Sequence, residues 1–117
     1  MKTLFIEYPK CTTCKKAKKF LQENGVEFED RDIVEANPTK TEILEWIDMS
    51  GLEAKKFFNT SGVLYREMGL KDKVKNISKE EAAEILSTNG MLVKRPILIK
   101  DGKIALGFKE EVYKDMV

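Results

Sequence analysis

The chain has no histidine. That removes every Cys–His or Ser–His dyad, the commonest metal ligand and the usual switch near neutral pH. Cysteine is scarce, with only Cys11 and Cys14. A zinc site takes four ligands, so within this chain carboxylates would have to complete it. Net charge is close to nil: 21 Lys and Arg against 20 Asp and Glu leave a formal +1. No overall electrostatic case follows for direct nucleic-acid binding or for a membrane surface. No run approaches the roughly 18 apolar residues that a bilayer span needs. Met1-Lys2 is followed by only a few apolar residues before Glu7, too short a stretch for a signal peptide. The expected location is therefore the cytosol, where thiols rest reduced and paired cysteines serve catalysis or sensing more often than structure. What remains, 117 residues of which 42% are apolar and 35% charged, suits one soluble domain with a real core.

Against this background one stretch stands out: Tyr8-Pro9-Lys10-Cys11-Thr12-Thr13-Cys14-Lys15-Lys16-Ala17. A strand-like run, Thr3 to Glu7, precedes it, and helical spacing of Cys14, Ala17, Phe20 and Leu21 predicts a helix over Thr12–Glu23. Cys11 then sits at the strand-to-helix turn, where unpaired amides favour an anion and lower a thiol pKa. Cys14 lies one turn on, on the same face, so the two sulfurs can share one oxidation event. Half of a zinc site and a pair of small apolar core residues are the competing readings. The missing ligands weigh against the first. Lys10, Lys15 and Lys16, which need water, weigh against the second. With no histidine, a Cys11 thiolate must be made by the helix terminus and by Lys or Arg.

The rest of the chain reads as a frame for that turn. Lys2–Glu7 is a short buried strand, and Asn24-Gly25 stops the first helix. Val26–Ile33 alternates as a second strand, completing a parallel βαβ unit. Asn37-Pro38-Thr39 opens a helix with Ile43, Leu44, Trp46 and Ile47 on its apolar face, ending at Met49-Ser50-Gly51. Leu52–Phe58 reads as a further short helix, and Tyr65–Leu70 as a helical turn or two. Ser78-Lys79-Glu80-Glu81 is a capping box, with Glu81 expected to reach back to the Ser78 amide. Its helix stops at Asn89-Gly90. Ile97–Ile99 and Ile104–Phe108 flank Asp101-Gly102, a strong hairpin signal. Lys109–Met116 is a last helix. The layout is α/β: a thioredoxin-like mixed four-stranded sheet with an all-helical insertion, a single domain over 1–117 with the insert at about 37–92. Lys15, Lys16, Lys18 and Lys19 read as a solvated helix face and Trp46 as core. Asn59-Thr60-Ser61-Gly62 reads as a helix-linking turn, with an anion cradle as the alternative.

Four segments together carry a resemblance: the cysteine stretch; Phe57-Phe58-Asn59-Thr60-Ser61-Gly62 with Tyr65-Arg66-Glu67; Gly90-Met91-Leu92-Val93-Lys94-Arg95-Pro96; and Leu106-Gly107-Phe108-Lys109. Over nearly its whole length the chain resembles the arsenate reductase-like (ArsC/Spx) family, most closely its small Gram-positive ArsC-like members. The resemblance implies a thioredoxin-type fold. It also implies Cys11 as nucleophile and Arg95, beside a cis Pro96, within reach of the Cys11 sulfur, where an arginine ahead of a strand is otherwise most often a surface ion-pair residue. Arsenate reductases of this type hold the oxyanion with three arginines and draw electrons from glutathione and glutaredoxin. Arg95 matches one arginine, while Asn59 and Gly107 stand at the other two positions. Each lost charge-assisted bond forfeits ~1.5–3 kcal/mol, so weak arsenate reduction is expected. The leading expectation is a thiol–disulfide protein with no bound cofactor. In it Cys11 attacks, Cys14 resolves, and glutathione, glutaredoxin or thioredoxin supplies electrons. The alternative is an Spx-type redox-sensing regulator that binds the RNA polymerase alpha subunit, in which Cys11 and Cys14 form a disulfide switch. Glu53 stands there in place of a glycine at the polymerase contact.

Overall fold

The computed structural model describes residues 3–117; the expected strand start at Lys2 lies outside them. In chain order the elements are β1 (Leu4–Glu7), α1 (Thr12–Glu23), β2 (Glu29–Asp32), α2 (Lys40–Ser50), α3 (Val63–Glu67), α4 (Leu70–Val74), α5 (Lys79–Leu86), β3 (Ile97–Lys100), β4 (Lys103–Leu106) and α6 (Glu110–Met116). Short 3₁₀ turns occupy Ala54–Phe57 and Gly90–Leu92. The chain divides into two compact units, one running to Asp32 and resuming at Arg95–Val117, the other Ile33–Lys94.

The first unit is a four-stranded mixed sheet in the order β2-β1-β3-β4. Sequence explains the order. The apolar strands Leu-Phe-Ile-Glu and Ile-Leu-Ile-Lys take the centre, and the charged Glu-Asp-Arg-Asp strand takes an edge, where one side of the ladder is wet. β1 pairs parallel with β2 (Phe5 opposite Asp30) and antiparallel with β3 (Phe5 opposite Leu98). β3 and β4 are joined by Asp101-Gly102, both with positive φ (51° and 79°). That is the backbone of the tight hairpin loop that Asp-Gly favours. Phe5, Ala17, Leu21, Leu98, Ala105 and Tyr113 form the buried core, with Phe20, Val26, Phe28 and Phe108 packed around it. The Tyr113 hydroxyl donates to the Gly107 carbonyl at 3.1 Å, so its burial leaves no orphan donor. β2 is shorter than the expected 26–33. The Val26 amide is spent on the Leu21 carbonyl, closing α1, and pairing begins only where the Glu29 amide meets the Thr3 carbonyl at 2.8 Å.

The second unit is helical. Thr39 and Glu42 form a complete capping box on α2, which buries Ile43, Trp46 and Ile47 and ends at Gly51 with φ 67°. On α5 only half of the expected box forms. Ser78 Oγ accepts from the Glu81 amide at 3.2 Å, while the Glu81 carboxylate lies 3.5 Å from Lys73 Nζ and does not cap the Ser78 amide. The expected helix at 52–58 is only the 3₁₀ turn, and α4, not anticipated, follows α3 after Gly69 breaks the helix with φ 62°. Gly90 is required by contact: a Cβ there would lie 2.0 Å from the Ile33 carbonyl oxygen. Among the described residues no helix is long and apolar enough to cross a membrane.

Candidate thiol–disulfide site

β1 delivers the chain to Tyr8-Pro9, and the Cys11 amide bonds back to the Tyr8 carbonyl at 2.9 Å, closing the turn. Cys11 becomes the N-cap of α1, in extended backbone conformation. Its sulfur accepts from the Cys14 amide at 3.4 Å, standing where a serine or aspartate oxygen ordinarily caps a helix. Cys14 lies one turn on with no exposed surface, and its sulfur accepts from the Tyr8 amide at 3.5 Å. Each sulfur thus receives a backbone N–H, and both are thiols. Cys14 is at once a core residue and a partner of Cys11, so the two sequence readings of the pair merge at that position.

Arg95 precedes β3, and the Arg95–Pro96 peptide is cis. Its guanidinium carbon stands 5.1 Å from the centroid of the Tyr8 ring. Nε and Nη1 are buried and make no hydrogen bond. The structure therefore brings Cys11, Cys14, Arg95 and Pro96 into one unit, with Tyr8 between them. Burial alone would raise the Cys11 pKa, but the Cys14 amide, the Cys14 thiol and the Arg95 guanidinium outweigh it, and the net shift is downward. Burial pushes the Cys14 thiol up to about 12, helped by the neighbouring Cys11, although the Tyr8 amide and Arg95 pull the other way. The cation that acts on the pair is the arginine; Lys10, Lys15 and Lys16 are all exposed.

The two positions expected to lack a clamp are committed elsewhere. Asn59 Nδ2 donates to the Met91 carbonyl at 3.4 Å, and its Oδ1 accepts from Ser61 Oγ at 3.2 Å. Gly107 has φ 76°, which strains any side-chain-bearing residue, and its amide donates to the Pro96 carbonyl at 2.8 Å. Among the described residues no cluster of three or more His, Cys, Asp or Glu could hold a metal ion.

Sequence reasoning missed two features of this unit. The first is Tyr8: nothing local signals its pairing with a side chain 87 positions away (residue 95 less residue 8). The second is a buried carboxyl, Glu7, only 3% exposed, with Lys18 Nζ 3.7 Å from its Oε2 and 2.7 Å from Asp30 Oδ2. A signal existed: Glu7 shares a strand face with buried Phe5. Burial and the adjacent Asp30 raise Glu7 to about 7 against the pull of Lys18. For Asp30, burial is overcome by bonds from Glu7 and Lys18, and its pKa is lowered.

A model of the ArsC family matches residues 6–116. The chain belongs to the ArsC family. Among ArsC-family relatives it is 46% identical to the uncharacterized protein YusI of Bacillus subtilis over 115 residues, 98% of each chain. It is 28% identical to the global transcriptional regulator Spx of Streptococcus agalactiae over 111 residues, 95% of this chain and 79% of that one. A solved ArsC family related protein from Bacteroides fragilis superimposes with a TM-score of 0.95 at 50% identity, covering 100% of this chain and 98% of the other. The ArsC-family sheet seen here, with its Cys-x-x-Cys turn between β1 and α1, is thioredoxin-like.

Proposed function

We propose that this chain is a thiol–disulfide reductase in which Cys11 attacks and Cys14 resolves. The reading is carried by the unequal standing of the two sulfurs: Cys11 is reachable and acidified, Cys14 buried and held as a thiol. The Cys11 thiolate attacks one sulfur of a substrate disulfide. A Cys11–S–S–R bond forms and the other half leaves as a thiolate. Capture of Cys11 removes its negative charge and its hydrogen-bonding sulfur anion, two of the causes that hold Cys14 high. The Tyr8 amide remains to stabilise the developing Cys14 thiolate. Cys14 gives its proton to water or to a departing thiolate and attacks the Cys11 sulfur. The Cys11–Cys14 bond forms, R leaves as a thiolate, and two electrons have passed to the substrate. An external thiol, glutathione or the dithiol of a glutaredoxin or thioredoxin, then restores the pair. Such a cycle suits the reducing cytosol. Arsenate fits the site poorly, since Arg95 alone remains of the expected clamps.

The test is trapping. With glutathione disulfide as substrate, Cys14→Ser should accumulate a glutathione adduct on Cys11, read by mass spectrometry. The unmodified chain should release glutathione and lose two hydrogens. Cys11→Ser should form no adduct at all; adduct formation at the unmodified rate in that variant would overturn the assignment.

A second reading is favoured by the alignment with Spx regulators over nearly the whole chain: the same pair acts as a switch controlling binding to the RNA polymerase alpha subunit, with no direct nucleic-acid contact. Purified alpha C-terminal domain distinguishes the two. The switch requires binding that changes between reduced and oxidised protein and is lost in Glu53→Arg; the reductase requires none.

A further inference from the structure

We propose that Tyr8 is a positioning residue for the thiol chemistry: its ring face holds the Arg95 guanidinium against the Cys11 sulfur and thereby sets how readily the thiolate forms. The inference rests on the reading of Cys11 as nucleophile, and its observation is the stack of Arg95 on Tyr8 at 5.1 Å. An arginine side chain loses rotamer freedom when it is fixed in one place, so something must hold it. No carboxylate grips Nε or Nη1, which are buried without a hydrogen bond. A carboxylate would in any case be the wrong anchor, because it would neutralise the charge that Cys11 uses. A ring face attracts the guanidinium through its quadrupole and stacks on its plane while leaving the net charge intact.

The position of Tyr8 suits this task. It ends β1, it precedes Pro9, whose ring fixes the local backbone, and its own amide is anchored on the Cys14 sulfur at 3.5 Å. One residue thus touches Cys14 through its backbone and Arg95 through its ring. The titratable and charged groups that act on the Cys11 sulfur are Cys14, on α1, and Arg95, ahead of β3. Moving the guanidinium away removes one stabiliser and leaves the helix-terminal amide in place.

The experiment measures the alkylation rate of Cys11 by iodoacetamide against pH. Tyr8→Phe, which keeps the ring, should leave the midpoint where the unmodified chain has it. Tyr8→Leu should raise it toward the Arg95→Ala value, with a roughly three- to tenfold slower rate at neutral pH. In the double variant Tyr8→Leu should add nothing to Arg95→Ala, because the ring acts only through the arginine. Should Tyr8→Leu fail to fold, fluorinated phenylalanines at position 8 keep the shape and weaken the ring quadrupole, and the midpoint should climb with each fluorine. An unmoved midpoint in Tyr8→Leu or across the fluorinated series, or additive effects in the double variant, would overturn the proposal. The Cys14→Ser trap is independent of Tyr8, so adduct formation there with an unmoved midpoint would remove Tyr8 from the mechanism and leave the reductase reading standing.

Discussion

Glu7→Gln should remove most of a pH dependence built into the sheet. Glu7 lies at the end of β1, 3% exposed, with Asp30 on the neighbouring strand and Lys18 on α1 as its polar company. Its pKa rises from 4.5 to about 7, chiefly through burial and then through Asp30, with Lys18 opposing. A folded-state value above the unfolded one means that folding favours the proton. The stabilisation is full below about pH 4.5, fades as pH climbs, and is gone above about pH 7, where Glu7 must be buried as an anion. The span corresponds to up to roughly 3 kcal/mol. Asp30 works in the opposite sense: its pKa is lowered from 3.8, so its contribution is present at neutral pH and is lost in acid. Between about pH 5 and 7.5 the Glu7 slope should therefore dominate this corner. Urea midpoints followed by circular dichroism across that range should fall with rising pH in the unmodified chain, and Glu7→Gln should flatten the fall. Parallel profiles for the two proteins would refute the reasoning and show that Glu7 ionises as freely in the folded state as in the unfolded one.

Leu21→Ala, at a fully buried position of the sheet unit, should cost about 2–5 kcal/mol in urea unfolding. Gly90→Ala should destabilise by about 1–3 kcal/mol or more, because the new methyl meets the Ile33 carbonyl backbone and not a side chain that can swing aside; a thermal midpoint within error of the unmodified chain would contradict it. Arsenate turnover with glutathione and glutaredoxin should be weak. Gly107→Arg should not rescue it, since φ 76° penalises the arginine before it can bind an anion; a coupled NADPH assay reads both.

The sequence made the skeleton of the sheet unit legible because its signals are local. The cysteine stretch lies between a short apolar strand and a helix with clean 3.6-residue spacing, and Asp101-Gly102 names its own turn. The helical unit was harder. Its short pieces around Ala54–Phe57, Val63–Glu67 and Leu70–Val74 are each a turn or so long, and so short a helix is decided by packing more than by propensity. Ser78-x-x-Glu81 shows the same limit, for the motif names two bonds and Lys73, from another helix, takes the carboxylate. At the site, Cys11 and Cys14 were legible by spacing. Arg95 came only from family resemblance, because residues 11 and 95 meet through the β1–β3 pairing and not through anything near either of them. The Tyr8 stack escaped for the same reason, whereas Glu7 left a local trace in the strand face that it shares with Phe5.

The seclusion of Cys14 has a practical side. The chain holds just two sulfhydryls, one partly accessible and one with no accessible surface. A bulky maleimide applied to the native protein should therefore attach once, and a second label should appear only when α1 lifts from the sheet. The delayed second attachment is a stopwatch for that local opening, set at the helix that carries the reactive turn, and it needs no engineered probe.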